Sequence, residues 1–150
     1  MGNLMTLHKD ILRNLFRSHL DKSDRILLLW AVNIKTPITQ EFNWHVTEKG
    51  YLNVLKWAVN IYYDINDHLC AIAAEKGHVE ILKWLYDDFI ECHWYSSSLS
   101  IRAADNGHLE VLKLIKSFGC YIDPKICAIA TVNGHTEILE WANTISRNEV

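Results

Sequence analysis

The chain repeats one eight-residue stretch, Gly77-His78-Val79-Glu80-Ile81-Leu82-Lys83-Trp84. The stretch returns as Gly107-His108-Leu109-Glu110-Val111-Leu112-Lys113-Leu114 and as Gly134-His135-Thr136-Glu137-Ile138-Leu139-Glu140-Trp141. A looser copy is Gly50-Tyr51-Leu52-Asn53-Val54-Leu55-Lys56-Trp57. The four glycines are 27, 30 and 27 residues apart. Self-similarity at a near-constant period of this length indicates a repeat architecture.

A degenerate copy precedes these four. Trp30-Ala31-Val32-Asn33-Ile34 is matched letter for letter by Trp57-Ala58-Val59-Asn60-Ile61, although Ser23 stands where the glycine would be. We therefore expect one repeat domain of five units over the 150 residues. Its segments are 1–39, which holds an N-terminal capping helix and the degenerate repeat, and the repeats 40–66, 67–96, 97–123 and 124–150.

Each unit has the pattern of two helices. The first helix ends in a small-residue pair such as Ala73-Ala74, and the glycine permits the positive φ that turns the chain into the second helix. The second helix has a wide apolar face. One such pair cannot bury that face alone, so we expect an all-α helical-repeat solenoid of about five stacked helix pairs. The tryptophans that share one repeat position are expected in its core: Trp30, Trp57, Trp84 and Trp141.

Two segments of the repeat resemble a known family. Ala-Ala-Glu-Lys-Gly-His-Val-Glu-Ile-Leu-Lys-Trp-Leu (73–85) and Ala-Ala-Asp-Asn-Gly-His-Leu-Glu-Val-Leu-Lys-Leu-Ile (103–115) are similar to the ankyrin repeat. The likeness is strongest to the short form abundant in large DNA viruses of amoebae and in amoebal genomes. It covers residues 40–146 well and 14–39 weakly. Units of 27 residues are shorter than the usual ~33, so the resemblance implies an ankyrin-like stack without full β-hairpin fingers.

The resemblance also implies a function and a set of site residues. Ankyrin repeats bind proteins, and the two residues before the glycine commonly face the concave groove of the stack. We therefore expect a non-catalytic protein–protein interaction module whose protein partner is unknown and which acts in the cytoplasm, the host's if the protein is viral. The candidate partner-binding residues are Glu48, Lys49, Glu75, Lys76, Asp105, Asn106, Val132 and Asn133.

A further candidate for the partner-binding site lies in the repeat 67–96, which is three residues longer than the other full repeats. The stretch 89–98 falls out of the helical register and contains His93, Trp94 and Tyr95. Aromatic side chains on loops are enriched at binding hot spots, which favours a contribution to the partner site. The alternative is that Trp94 folds back and covers the gap that the insertion opens.

The chain shows no pattern of a catalytic, cofactor or metal site. Phosphate-binding glycine loops, a nucleophile elbow and His-Glu-x-x-His are absent from the sequence, so we expect no enzyme and no cofactor. His78, His108 and His135 share a repeat position where the ankyrin family ties adjacent units together, and they are expected to be too far apart to share a metal ion. A net charge of −3 favours neither nucleic acid nor an anionic membrane.

Three features concern the termini and the cysteines. Residues 7–16 with Leu20 and Asp24 resemble an F-box, which implies a substrate adaptor bound to a Skp-type adaptor of a cullin-type ubiquitin ligase, but an amphipathic capping helix explains the same spacing. Met1 to Thr6 fits a myristoylation pattern at Gly2, the one route to a membrane that we expect. Apolar Ile138, Trp141 and Ile145 on the last helix suggest a structural or self-associating subunit as a further alternative. The four cysteines, without Cys-x-x-Cys spacing or a secretory leader, are expected to be reduced.

Overall fold

The structure, a computed structural model, describes residues 40–61, 65–88 and 97–148. Within these residues the chain forms eight α-helices and no strand, which confirms the all-α prediction. The helices are α1 Gln40–Glu48, α2 Leu52–Ile61, α3 Asp67–Lys76, α4 Val79–Asp88, α5 Ser97–Asp105, α6 Leu109–Ser117, α7 Ile126–Asn133 and α8 Thr136–Asn148.

The same turn joins the two helices of each pair. Gly77 has φ +78°, the left-handed region that a glycine enters without steric cost. The next N–H, that of His78, donates to the Ala73 carbonyl at 2.8 Å, and this bond recurs with the same length from His108 and His135. The start of α3 is also specified locally, because the Asn66 side chain accepts hydrogen bonds from two backbone N–H groups of the first turn. The repeated sequence therefore folds into repeated backbone geometry.

The helix pairs pack in chain order. Helices α1, α3, α5 and α7, the first members of the pairs, contact one another in that sequence, and each contacts the second member of its own pair; α4 also contacts α6. The contact is close because small side chains lie between the first helices. Ala73, Ala74, Ala103 and Ala104 are all fully buried.

The second helices contribute the larger core side chains. Leu82 of α4 and Leu112 of α6 are fully buried, whereas Glu80 and Lys83 form an exposed ion pair with 3.1 Å between Nζ and Oε1. The tryptophan prediction is confirmed for Trp57, which is buried. Trp84 and Trp141 are half-buried and pack against the same core, and the Lys56 Nζ lies 5.6 Å from the centre of the Trp84 ring.

Two expectations are corrected by the structure. Ile138 is 1% exposed, because α8 packs this side chain against α7 of its own pair, so it is not an uncovered residue at the end of the chain. The four cysteines are not all reduced: Cys70 is disulfide-bonded, while Cys120 and Cys127 are free thiols.

Several predictions fall on residues that the structure does not describe. These are the N-terminal cap and degenerate repeat in 1–39, with the F-box and myristoylation patterns, and the loop residues His93, Trp94 and Tyr95. In the part of the chain that is described, no helix combines the length and the apolar character needed to cross a membrane.

Candidate functional site

A row of polar contacts joins each helix pair to the next through the residues that precede the repeat glycines. The Glu48 carboxylate lies 4.0 Å from the Lys76 Nζ. One repeat further on, the Glu75 carboxylate lies 2.7 Å from an Arg102 guanidinium nitrogen. In the following unit the Asn133 amide donates to the Asp105 carboxylate at 2.9 Å. These side chains share one edge of the first helices.

Three histidines lie beside this row and bind the backbone of the preceding unit. The Nε2 atoms of His78, His108 and His135 lie 2.9, 2.9 and 3.1 Å from the carbonyl oxygens of Glu48, Glu75 and Asp105, respectively. A carbonyl can only accept, so each ring must carry its proton on Nε2. The histidines thus tie neighbouring units together.

The same imidazoles lie directly over the glycines of the preceding units. A Cβ built on Gly50 would be 2.7 Å from the His78 Cε1 atom, and one built on Gly77 would be 2.6 Å from the His108 Nδ1 atom. These separations are shorter than any ordinary contact of a Cβ. Glycine is therefore required at this repeat position for two reasons. The turn has a positive φ, and an imidazole ring occupies the space that a side chain would need.

A groove of 410 Å³ opens between α1 and α3 beside the polar row. Its lining combines two apolar side chains, two imidazoles and three charged groups: Trp44, Ile72, His45, His68, Glu48, Glu75 and Lys76. The Trp44 and His68 rings meet edge to face, with 4.5 Å between their centres and 70° between their planes. The Trp44 Nε1 atom is buried and has no hydrogen-bond partner among the described residues.

The groove brings together some of the predicted site residues. Glu48, Glu75 and Lys76 line it. Lys49 is exposed next to the groove. Further along the row, Asp105, Asn106 and Asn133 are exposed. Val132, which lies on α7, is 85% exposed. Asn106 is held locally, because its side chain donates to the Arg102 carbonyl at 3.0 Å.

Sequence reasoning missed the aromatic and imidazole part of the groove. Trp44 and His45 precede Glu48 by four and three residues, and Ile72 precedes Glu75 by three. Residues at these spacings share a helix face. The signal was therefore present in the sequence, as the helical continuation of the residues that precede the glycines.

Three further features of the described residues concern metal ligands, thiol reactivity and a second cavity. They contain no group of three or more His, Cys, Asp or Glu side chains arranged to hold a metal ion. Burial raises the pKa of the Cys120 thiol, which lowers its thiolate fraction and hence its reactivity. A second cavity, of 390 Å³, lies at the starts of α4, α6 and α8, and its lining combines two glycines, three apolar side chains, one imidazole and two carboxylates: Gly77, Gly107, Val79, Leu109, Val111, His108, Glu110 and Glu137.

Comparison of the chain with known protein families, with curated proteins and with solved structures gave no match.

Proposed function

We propose that the chain is an ankyrin-type helical-repeat solenoid that binds a protein partner in the groove between α1 and α3. The repeat period, the Gly-His pairs and the succession of contacts between first helices support the ankyrin-type stack. The degenerate copy at 30–34 in the sequence supports a count of five units. A repeat stack presents equivalent positions of successive units as one extended surface, which suits a protein ligand.

The composition of the groove is the observation that carries this proposal. Trp44 and Ile72 offer an apolar contact, and Glu48, Glu75 and Lys76 place charges of both signs around it. Tryptophan is enriched among the residues that dominate binding energy in protein interfaces, and polar groups around it fix orientation and partner choice. Acidic residues in the row disfavour a nucleic-acid backbone as the ligand.

Part of the groove is already ordered, which lowers the entropic cost of binding. Glu75 is held from both sides, by Arg102 at 2.7 Å and by Lys76 at 3.4 Å. The backbone carbonyls of Glu48 and Glu75 are held by His78 and His108. The charged rim therefore has a defined shape before a partner arrives.

The experiment is affinity capture from the native cell with a charge-swapped groove. Replacing Glu48→Lys and Lys76→Glu together keeps the net charge and the possibility of their ion pair but reverses the charge pattern of the rim. The matched control swaps Glu80→Lys and Lys83→Glu, an exposed ion pair on α4 with the same residue types. We expect a protein that is captured by the unmodified chain and by the control but not by the groove variant.

Both variants should keep a free energy of unfolding within about 1 kcal/mol of that of the unmodified chain, because exposed ion pairs, including the Lys76–Glu75 contact that the groove variant loses, contribute only about 0–1 kcal/mol. A partner captured equally by the groove variant and the control would contradict the proposed site. Conversion of a substrate by the purified chain would contradict the non-catalytic function.

A further inference from the structure

The molecule contains an internal example of an arginine bound by one of the acidic residues that precede the repeat glycines. Arg102 of α5 stands five residues before Gly107. Its guanidinium donates a hydrogen bond of 2.7 Å to the Glu75 carboxylate on α3, and Glu75 stands two residues before Gly77. A carboxylate at this repeat position therefore binds a guanidinium that the next helix pair presents.

The groove between α1 and α3 has the carboxylate of this arrangement without the guanidinium. Glu48 occupies the repeat position of Glu75, two residues before the glycine. Ile72 occupies the repeat position of Arg102, five residues before the glycine. Both Glu48 and Ile72 line the groove of 410 Å³. Because isoleucine is shorter than arginine and uncharged, the groove lies where an arginine side chain runs in the following repeat.

The Glu48 carboxylate is only loosely paired. Among the described residues its charged neighbour is the Lys76 Nζ at 4.0 Å, and that ammonium lies closer to the Glu75 carboxylate, at 3.4 Å. A separation of 4.0 Å is too long for a hydrogen bond, so the carboxylate can still accept hydrogen bonds from a ligand. Two carboxylates and one ammonium also give the groove lining a net negative charge, which complements a cation.

Trp44 makes this groove more suitable for arginine than for lysine. It precedes Glu48 by four residues, which places the ring and the carboxylate on one face of α1. The corresponding residue of α3 is Ala71, so the site of Arg102 has no such ring. A guanidinium is planar, stacks on an aromatic face and can donate two parallel hydrogen bonds to one carboxylate, whereas an ammonium has neither property.

We propose that the groove binds one arginine side chain of a partner protein. The guanidinium donates to the Glu48 carboxylate and lies against the Trp44 ring, and the aliphatic part of the side chain packs on Ile72. Arg102 is the one arginine whose side chain the structure describes, and it is bound to Glu75, so the described surface of this chain has no free guanidinium for a second copy. The inference rests on the proposed function and names the residue that the groove selects in its partner.

A pair of peptides tests the selection of arginine. The first is acetyl-Ala-Ala-Ser-Arg-Ser-Ala-Ala-amide, and the second has citrulline, which has the same shape without the charge, in place of arginine. Each is titrated into the full chain while the indole N–H resonance of Trp44 and the amide resonance of Glu48 are followed. We expect the dissociation constant of the arginine peptide to be lower by about tenfold or more, because a hydrogen bond to a charged group is lost in the citrulline peptide.

Three variants make the test specific to the groove. Ile72→Arg gives the chain a guanidinium of its own at the repeat position of Arg102, and it should weaken binding of the arginine peptide to the level of the citrulline peptide. Glu48→Gln should do the same, because it removes the charge of the acceptor. Ile129→Arg is the matched control, since it makes the same change at the same repeat position of α7, and it should leave binding unchanged. Far-ultraviolet circular dichroism should show the same helical signal for all three variants.

Two results would overturn the inference. The first is equal binding, or no binding, of the two peptides, or undiminished binding of the arginine peptide to Ile72→Arg. The second is self-association of the unmodified chain in sedimentation that Ile72→Arg abolishes, because the arginine would then come from a second copy.

The inference and the proposed function can fail independently. Capture of a cell protein that depends on the groove, without any preference for the arginine peptide, contradicts the inference alone. Selective binding of the arginine peptide, without a captured protein that depends on the groove, contradicts the proposed function and supports the arginine site.

Discussion

Substitution of a repeat glycine separates the two reasons for its presence. Gly107→Ala places a methyl group in the left-handed region, which costs a residue with a side chain roughly 1–2 kcal/mol. The Cβ also lies 2.8 Å from the His135 Cε1 atom, so the ring must move and its 3.1 Å bond to the Asp105 carbonyl is lost. That bond is worth about 0.5–1.5 kcal/mol. We expect Gly107→Ala to lower the free energy of unfolding by about 1.5–3.5 kcal/mol.

Two other glycines of the chain provide matched controls for the cost of placing a side chain at a positive φ. Gly134 and Gly119 both have φ +74° and have no atom within 4 Å of a built Cβ. Gly134→Ala and Gly119→Ala should therefore cost only the backbone term, about 1–2 kcal/mol. The excess cost of Gly107→Ala over these two variants measures the displacement of the imidazole.

A double-mutant cycle between Gly107 and His135 provides the decisive measurement. In a His135→Ala background the methyl group has no ring to displace, so the double variant should cost less than the sum of the single variants by about 0.5–1.5 kcal/mol. Urea unfolding followed by far-ultraviolet circular dichroism gives all four free energies. Additivity within about 0.3 kcal/mol would refute the role of the ring in excluding a side chain from Gly107.

Three further predictions concern the core, the histidines and a thiol. In urea titrations, Leu82→Ala should lower the free energy of unfolding by about 2–5 kcal/mol, because Leu82 is fully buried. Glu80→Ala should change the free energy of unfolding by less than about 0.5 kcal/mol, and similar losses from the two variants would contradict the assignment of the buried and exposed faces of α4. His108→Ala should lower the free energy of unfolding by about 1 kcal/mol, because it removes the hydrogen bond between His108 and the Glu75 carbonyl. Addition of zinc or of a chelator should leave the melting temperature of the unmodified chain unchanged, and a shift of several degrees would argue for a metal site. Burial raises the pKa of the Cys120 thiol, so alkylation at about pH 8 should be slower in the folded chain than in urea; equal rates by mass spectrometry would refute this.

The helices were predictable because the repeat supplies four aligned copies of each local signal. The small-residue pair, the glycine and the apolar face of the second helix recur in register, and α3 to α8 follow them. Local signals of this kind act within about one turn of helix. They explain the ends of the helices without any information on tertiary structure.

The contact of each imidazole with the preceding glycine was not predicted, because its two members lie in different repeats. A trace of it exists in the sequence. Ser23 replaces the glycine of the degenerate unit, and Tyr51 replaces the histidine of the unit that follows. Between these two units both members of the contact are missing together. One such coincidence does not define a spatial contact, and the geometry was needed to explain it.

The groove was predicted only in part for a similar reason. The residues before the glycines were inferred from the family resemblance, and Glu48, Glu75 and Lys76 do line a common groove. The Trp44–His68 contact depends on how closely α1 and α3 approach. The disulfide of Cys70 depends likewise on three-dimensional proximity, and neither distance can be obtained from residue spacing.

The contacts made by His78, His108 and His135 each link a helix pair only to the one before it. In an array coupled through nearest neighbours, a disturbance weakens at every interface that it crosses. The groove at α1 and α3 is separated from α7 by the whole α5–α6 pair. A change of structure at the groove therefore reaches α7 chiefly through the α5–α6 pair, and we expect its effect on α7 to be small.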